Sequence, residues 1–223
     1  MWNESDQIGF KEASNKNIGQ FPKNTDLWNV LVEMARDTQN RTFLEVGTWN
    51  GQGSTLAIAE GLRSRNDDFV FYSLECNSEK WEHARKHYIA DKQIHILNEV
   101  LVRPSLEKIS KKFPEIMNKS STTGYSHWAT LDHINSSQCE LFWNRHDLPR
   151  IFDVIVLDGG EYTTWFEFLE TKHRANIFIL DDIHSPKCRD AHANLENDPE
   201  WIFTAELWDN GCSSVFKRKT RLL

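Results

Sequence analysis

The stretch FLEVGTWNGQGST, residues Phe43 to Thr55, is the strongest indication of the fold of this chain. A short apolar run leads to Glu45, a glycine-rich turn follows, and Ser54 stands where a helix is expected to begin. This order of strand, turn and helix N-terminus lets a ligand lie against bare backbone. The three glycines of the turn are Gly47, Gly51 and Gly53. Their spacing fits neither a dinucleotide pattern nor a phosphate-binding loop, and the turn holds no lysine that would neutralise a triphosphate.

A carboxylate ends the next predicted strand as well. Residues 69–74 form a short apolar segment, and Glu75 follows it directly. A carboxylate at that position can accept hydrogen bonds from both hydroxyls of a ribose. Together with the glycine turn, Glu75 indicates a ligand that contains a nucleoside but needs no pyrophosphate cradle. S-adenosylmethionine (SAM) is the obvious candidate.

Length and composition exclude several classes of protein. With 223 residues and 26.1 kDa, the chain has the length of one domain with a full core. Its net charge is −7, which disfavours a nucleic-acid partner because such partners usually bind a basic surface. No apolar run approaches the ~20 residues that span a bilayer, so we expect no membrane association. The polar N-terminal residues do not fit a signal peptide.

The cysteines are scattered along the chain. Cys76, Cys139, Cys188 and Cys212 form no C-x-x-C pair, so their spacing gives no support for a zinc site. Scattered cysteines are typical of reduced thiols, and they predict a cytoplasmic protein.

Segments that predict strands alternate with segments that predict helices. This order predicts an α/β fold with a doubly wound, mostly parallel sheet that ends in a C-terminal antiparallel hairpin. Pro104 is expected at the first position of one helix, and Ser185 with Pro186 at the start of another. Ligands of such sheets bind outside the carboxyl ends of the strands.

The alternation is interrupted at residues 114–149. This segment is polar, rich in Ser, Thr and Asn, and too long for an ordinary connection. It predicts either an active-site lid or a mobile insertion within a single domain of residues 1–223.

These features resemble the class I SAM-dependent methyltransferases, and the resemblance covers nearly everything from Asp26 to Lys217 except the insertion. It implies a Rossmann-like sheet of seven strands, the last of them antiparallel. It also implies that Glu75 holds the ribose and that the loop from Glu45 to Ser54 binds the rest of the cofactor. The loop residues assigned to the cofactor are Glu45, Gly47, Thr48, Gly51, Gly53 and Ser54.

The second half of the chain narrows the resemblance to the metal-dependent O-methyltransferases. Asp158-Gly159-Gly160 and Asp181-Asp182 each follow a predicted strand, and the motif Ser185-Pro186-Lys187-Cys188-Arg189 comes next. This pattern is closer to the macrocin-type enzymes, which methylate antibiotic sugars, than to the catechol-type enzymes. It implies that Asp158, Asp181 and Asp182 bind Mg²⁺ or Mn²⁺, hard cations that prefer oxygen ligands. The alternative is that these aspartates only cap helices and shape turns.

Three side chains are candidates for the catalytic base. The catechol-type enzymes carry a lysine three residues after their first metal-binding aspartate, where some antibiotic sugar enzymes carry a histidine. This chain has Glu161 at that position, and a carboxylate can serve as the base beside a metal. His184 is a competing base, and Asp158 itself is the third candidate.

We expect the acceptor to be a hydroxyl of a sugar, free or within a glycan. Tyr125 and Trp128 in the insertion could form its binding platform among polar neighbours. One alternative is a catechol or other small phenol. Another is a methyltransferase-like binding subunit without catalysis. The sequence leaves open which sugar is used, the oligomeric state, and whether the chain is a fragment.

Overall fold

A seven-stranded sheet organises the chain, whose computed structural model describes residues 22–117, 125–208 and 211–222, with the backbone alone for residues 117 and 125–127. Its strands lie in the order β3-β2-β1-β4-β5-β7-β6. All neighbours are parallel except β7, which is antiparallel to both β5 and β6. The predicted doubly wound, mostly parallel sheet with its C-terminal hairpin is therefore confirmed. The strands are β1 (Thr42–Val46), β2 (Val70–Leu74), β3 (Ile94–Leu97), β4 (Phe152–Leu157), β5 (Ala175–Leu180), β6 (Trp201–Leu207) and β7 (Ser213–Arg218).

Helices cover both faces of the sheet. Successive side chains of a strand point to opposite faces, so each strand contributes to two cores. In β4, Val154 and Val156 join one core with residues of the first two helices. Ile155 and Leu157 join a second core with residues of the last two helices. Central parallel strands buried on both faces read as continuous apolar runs, which explains why β4 and β5 are so clear in the sequence.

Seven α-helices accompany the strands within the described residues, and side-chain oxygens cap several of them. Asn77 accepts hydrogen bonds from two backbone N–H groups of α3, as its position predicts. No helix in the described part of the chain is both long and apolar enough to cross a membrane. The helices are α1 (Asp26–Arg36), α2 (Ser54–Arg63), α3 (Ser78–Arg85), α4 (Leu106–Lys112), α5 (Tyr125–Gln138), α6 (Thr164–Thr171) and α7 (Arg189–Glu196).

Two predicted helix starts are wrong. Helix α4 begins after Pro104, because the Ser105 side chain accepts the backbone N–H of Lys108 and so caps the helix one residue further on. Helix α7 begins at Arg189 and not at Ser185. The preceding residues form a turn in which the backbone N–H of Ser185 donates to the carbonyl of Asp182.

Part of the predicted insertion is a helix. Helix α5 occupies 14 residues of the segment, and residues 118–124 lie outside the described part of the chain. Contacts with other segments hold α5 and the residue after it in place. Asp132 Oδ2 accepts the backbone N–H of Tyr162 (3.0 Å), His133 Nδ1 lies 3.1 Å from the carbonyl oxygen of Pro104, and Cys139 donates to the carbonyl of Cys76. These tertiary bonds stabilise a helix that its polar composition does not predict.

The amino ends of the strands are tied together by the C-terminal residues. Asp153 Oδ2 accepts the backbone N–H of Thr42 (3.0 Å), and its other oxygen pairs with Arg221 (2.6 Å). Asn176 exchanges two hydrogen bonds with the backbone of Leu222. This network, which we call the amino-edge network, lies opposite the edge where ligands of such sheets bind.

The strand register brings candidate site residues to one edge. Val46 pairs with Leu74 on one side and with Leu157 on the other, and Leu157 pairs with Leu180. The residue after each of these four strand ends therefore emerges at the same edge of the sheet.

Candidate active site

A cavity of about 680 Å³ lies at this carboxyl edge. Its volume is that of a small-molecule site. The loops after β1, β2, β4 and β5 form most of the wall, and the segment after β3 and helices α5 and α6 complete it. The cavity therefore joins the predicted cofactor loop to the predicted acidic cluster.

Gly47 makes the turn at one end of the cavity. Its φ is +98°, and its backbone N–H donates to the carbonyl of Leu74 (2.9 Å). A Cβ atom at this position would lie 2.0 Å from the carbonyl oxygen of Asp158. Only glycine combines this φ with such close contact between the ends of β1 and β4.

Glu75 lies in the cavity wall beside that turn. Its side chain is buried, and each carboxylate oxygen accepts one backbone N–H, Oε2 from Trp49 (2.7 Å) and Oε1 from Asn77 (2.8 Å). Burial raises the pKa of Glu75 to about 7, although these hydrogen bonds oppose the shift. A carboxylate offers about four acceptor positions, so Glu75 can hold both loops and still accept hydroxyl hydrogen bonds.

The other predicted cofactor residues do not line the cavity. Glu45 is fully buried, and its Oε2 accepts hydrogen bonds from Thr55 (2.6 Å) and Ser73. Burial raises the pKa of this carboxyl. Glu45 thus connects β1, at the start of the turn, to β2 and to helix α2. The residues of the predicted loop that do not line the cavity are Glu45, Thr48, Gly51, Gly53 and Ser54.

The three predicted metal-binding aspartates come together in the same cavity wall. Oxygen atoms of Asp158, Asp181 and Asp182 lie within 4.8 Å of one another. The ammonium of Lys187 lies among them, with its Nζ 2.7 Å from Asp158, 2.6 Å from Asp182 and 3.7 Å from Asp181. We call these four residues the acidic cluster. Sequence reasoning quoted Lys187 as part of a motif but assigned it no role.

Burial and the charges of neighbouring groups shift the pKa values of this cluster. Burial raises the pKa of Asp181 to about 8, and the charge of Asp158 adds to the shift. Burial alone would lower the pKa of Lys187, but the three aspartates raise it well above its usual value. Lys187 is therefore a protonated ammonium that offsets part of the negative charge.

Helices α5 and α6 add further carboxyl groups to the cavity. Asp132 and Glu167 both line it, together with Trp128, whose exposed fraction is 42%. Burial raises the pKa of Asp132 to about 6 and that of Glu167 to about 8. Glu167 Oε2 has no hydrogen-bond partner among the described residues. Sequence reasoning missed Glu167, because an isolated acid within a helix resembles any solvated position.

The structure brings two of the three candidate bases, Asp158 and Glu161, to the cavity. Glu161 lines the wall, and burial raises its pKa. His184 is exposed, does not line the cavity, and packs against Trp208 with ring centroids 5.9 Å apart. The side chain of Tyr125, predicted to bind the acceptor, lies outside the described part of the chain.

Comparison with known proteins gives matches in structure only. No protein-family model matches the sequence, and no curated protein is significantly similar to it. The O-methyltransferase from Bacillus cereus, solved in complex with SAH, superimposes with a TM-score of 0.58 at 12% identity, covering 98% of this chain and 92% of that one.

Two further solved structures agree. The O-methyltransferase TomG from Streptomyces achromogenes, involved in tomaymycin synthesis and solved with SAM, has a TM-score of 0.56 at 12% identity, covering 99% of this chain and 92% of that one. The SAH-bound Podospora anserina methyltransferase has a TM-score of 0.51 at 15% identity, with coverage of 99% and 98%. The chain therefore has the Rossmann-like fold of solved SAM-dependent methyltransferases.

Proposed function

We propose that this protein is a SAM-dependent O-methyltransferase whose acceptor is a hydroxyl of a sugar or glycan. One observation carries the proposal: Gly47, Glu75 and the acidic cluster line the same cavity. A methyl donor and a hydroxyl acceptor need such neighbouring sites, because transfer requires the two reacting atoms in line and close together.

The cofactor end fits SAM by its chemistry. Glu75 would accept hydrogen bonds from the ribose, and the turn at Gly47 presents backbone to the remainder of the molecule. The cofactor supplies an electrophilic methyl group on a sulfonium centre. The chain must therefore supply orientation, a base, and shielding from water. The similar structures that contain SAM or SAH support this assignment.

Glu161 is our proposed base. It lies in the wall near the acidic cluster, and burial raises its pKa, which makes it a stronger base than an exposed glutamate. In this proposal a carboxylate oxygen of Glu161 takes the proton of the acceptor hydroxyl. Trp128 covers the acceptor, and Asp132 accepts hydrogen bonds from further hydroxyls. A sugar offers more such hydroxyls than a catechol does.

The acidic cluster fits a divalent cation. Its carboxylates are the ligands that Mg²⁺ and Mn²⁺ prefer, and the ammonium of Lys187 already lies among them. When bound, the metal would be held by Asp158, Asp181 and Asp182 and would acidify a hydroxyl that it contacts. Lys187 would then have to move, because its ammonium lies between the carboxylates that would hold the metal.

The competition between lysine and metal has a direct test. Titration of the EDTA-treated protein with Mn²⁺, followed by electron paramagnetic resonance, should give tighter binding for Lys187→Met than for wild type. Lys172→Met is the matched control, because Lys172 pairs with Asp198 away from the cavity (2.6 Å). Equal Mn²⁺ affinity in wild type and Lys187→Met would contradict the competition.

The function itself is tested in two steps. Calorimetry with SAM should detect binding, and a screen with labelled SAM should detect methyl transfer to nucleotide sugars or short glycosides. Turnover should stop in EDTA and return with Mg²⁺ or Mn²⁺, and Asp181→Asn should bind SAM without turnover. Absence of SAM binding would refute the proposal. Binding without transfer to any acceptor would favour a non-catalytic subunit, and preferential transfer to catechol would overturn the sugar acceptor.

A further inference from the structure

A second cluster of ligating side chains lies beside the acidic cluster. His184 Nδ1 or Nε2, a carboxylate oxygen of Glu206 and the Sγ of Cys212 all lie within 4.8 Å of one another. They come from three segments: the loop after β5, strand β6, and the residue before β7. From this geometry we propose that His184, Glu206 and Cys212 form a binding site for Zn²⁺, separate from the aspartates that suit Mg²⁺ or Mn²⁺.

The spacing of two donors matches zinc coordination. Cys212 Sγ lies 3.4 Å from Glu206 Oε1, where the thiol donates a hydrogen bond to the carboxylate. With Zn–S of about 2.3 Å and Zn–O of about 2.0 Å, a tetrahedral angle separates the two ligand atoms by about 3.5 Å. Zinc can therefore replace the shared proton with little movement of either side chain.

The backbone holds Cys212 in an unusual conformation. Its φ is +68°, which is rare for a residue with a side chain, and its exposed fraction is only 4%. The carbonyl of Cys212 also accepts the backbone N–H of Ile183 (3.0 Å), next to His184. This bond fixes the thiol relative to the loop that carries the imidazole.

The donor types select the metal. A thiolate and an imidazole favour Zn²⁺, whereas three carboxylates favour a hard cation. Without metal, burial raises the pKa of the Cys212 thiol to about 11, and the hydrogen bond to Glu206 adds to the shift. Binding of Zn²⁺ forms the Zn–S bond and releases the thiol proton to solvent. Three protein ligands leave one tetrahedral position for water.

The bound metal would connect two parts of the structure. Ser213, next to Cys212, donates to Asp181 Oδ1 (2.7 Å), and His184 lies two residues after Asp182. Zinc would therefore tie the β6–β7 hairpin to the loop of the acidic cluster. His184, which does not reach the cavity, acquires a role as a metal ligand in this proposal.

Cobalt provides the test, because Co²⁺ replaces Zn²⁺ in such sites and reports its ligands by absorption. Metal-free wild-type protein titrated with Co²⁺ should show a thiolate-to-cobalt charge-transfer band and the strong visible bands of a tetrahedral complex. Cys212→Ser should lose the charge-transfer band. Cys139→Ser, with its thiol in a different environment, and Asp158→Asn, in the acidic cluster, should keep it.

His184→Gln is a second test of the site in case Cys212→Ser does not fold. Because His184 is exposed, its substitution should leave the fold intact. Loss of this ligand should weaken Co²⁺ binding on the order of tenfold or more. Zn²⁺ should also raise the melting temperature of wild type but not of Cys212→Ser. Absence of the charge-transfer band in wild type, or its survival in Cys212→Ser, would overturn the site. None of these measurements involves SAM or an acceptor, so they stand apart from the proposed function.

Discussion

The two ends of the cavity are built in different ways. At the cofactor end, Gly47 and Glu75 follow two neighbouring strands, and backbone N–H groups satisfy the carboxylate. At the acceptor end, carboxyl groups from the strand ends and two helices line the cavity together with the ammonium of Lys187. The cofactor end thus depends on backbone geometry, and the acceptor end depends on charge balance.

The two ends are therefore sensitive to different changes. A backbone-built site fails when the turn cannot form, because neighbouring groups have no freedom to adjust. A charge-built site responds instead to pH and to the cations it contains. Four substitutions test this contrast.

Gly47→Val should cause the largest loss. The added Cβ would lie 2.0 Å from the carbonyl oxygen of Asp158, and a β-branched residue is strained at a φ of +98°. We expect destabilisation of about 4 kcal/mol or more, with loss of SAM binding, measured by urea unfolding and calorimetry. Gly51→Ala is the graded control, because its Cβ would approach mainly the side chains of Ala84 and Tyr88 at 3.1 Å. A stable Gly47→Val that binds SAM would refute the backbone description.

Glu75→Ala should weaken cofactor binding by tens-fold. The variant removes a charge-assisted pair of hydrogen bonds to the ribose, commonly worth ~2–3 kcal/mol. Calorimetry with SAH measures the loss, and thermal unfolding shows how much of it reflects the two lost loop contacts. Glu79→Ala, an exposed acid in the first turn of α3, is the control for charge alone. Unchanged affinity in Glu75→Ala would remove the ribose assignment.

Glu167→Gln should change the pH dependence of stability. The pKa of Glu167 is raised from 4.5 to about 8 by burial and by Asp132, so the folded protein keeps a proton that the unfolded chain releases. The associated stability is complete below pH 4.5 and is lost as the pH rises towards 8. Between pH 6 and pH 7, wild type should lose about 1.4 kcal/mol more than Glu167→Gln in urea unfolding. Equal losses would show that Glu167 is ionised in the folded state.

Trp128→Ala should have the smallest effect. Loss of the aromatic platform should raise the acceptor KM about fivefold, equivalent to ~1 kcal/mol, without changing SAM affinity. Trp208→Ala is the matched control, because Trp208 is exposed and lies outside the cavity wall. Steady-state kinetics on a glycoside and a catechol would decide. Unchanged kinetics on both acceptors would remove Trp128 from the site.

The sheet could be predicted from the sequence because its signals are local. Strands β4 and β5 are apolar runs that are buried in the structure, and Asn77 caps a helix as its position predicts. Helix α5 was not predicted, because its stability comes from distant partners. The bond from Tyr162 to Asp132 joins residues that no sequence pattern connects.

The same distinction applies to the site. Asp158 and Asp181 could be predicted because they end neighbouring strands whose register aligns them. The position of Lys187 could not, because it depends on a turn that begins at Asp182, where φ is +53°. That turn also leaves His184 exposed and outside the cavity, although its place in the sequence made it a candidate base.

The amino-edge network has a consequence for how this protein can evolve. Asp153, Asn176, Arg221 and Leu222 join the ends of the strands that lie furthest from the cavity. Substitutions in the loops at the cavity can therefore alter which acceptor is bound while these contacts continue to hold the sheet. The contacts of this edge thus support the sheet without touching the acceptor, so they remain in place when loop residues at the cavity change.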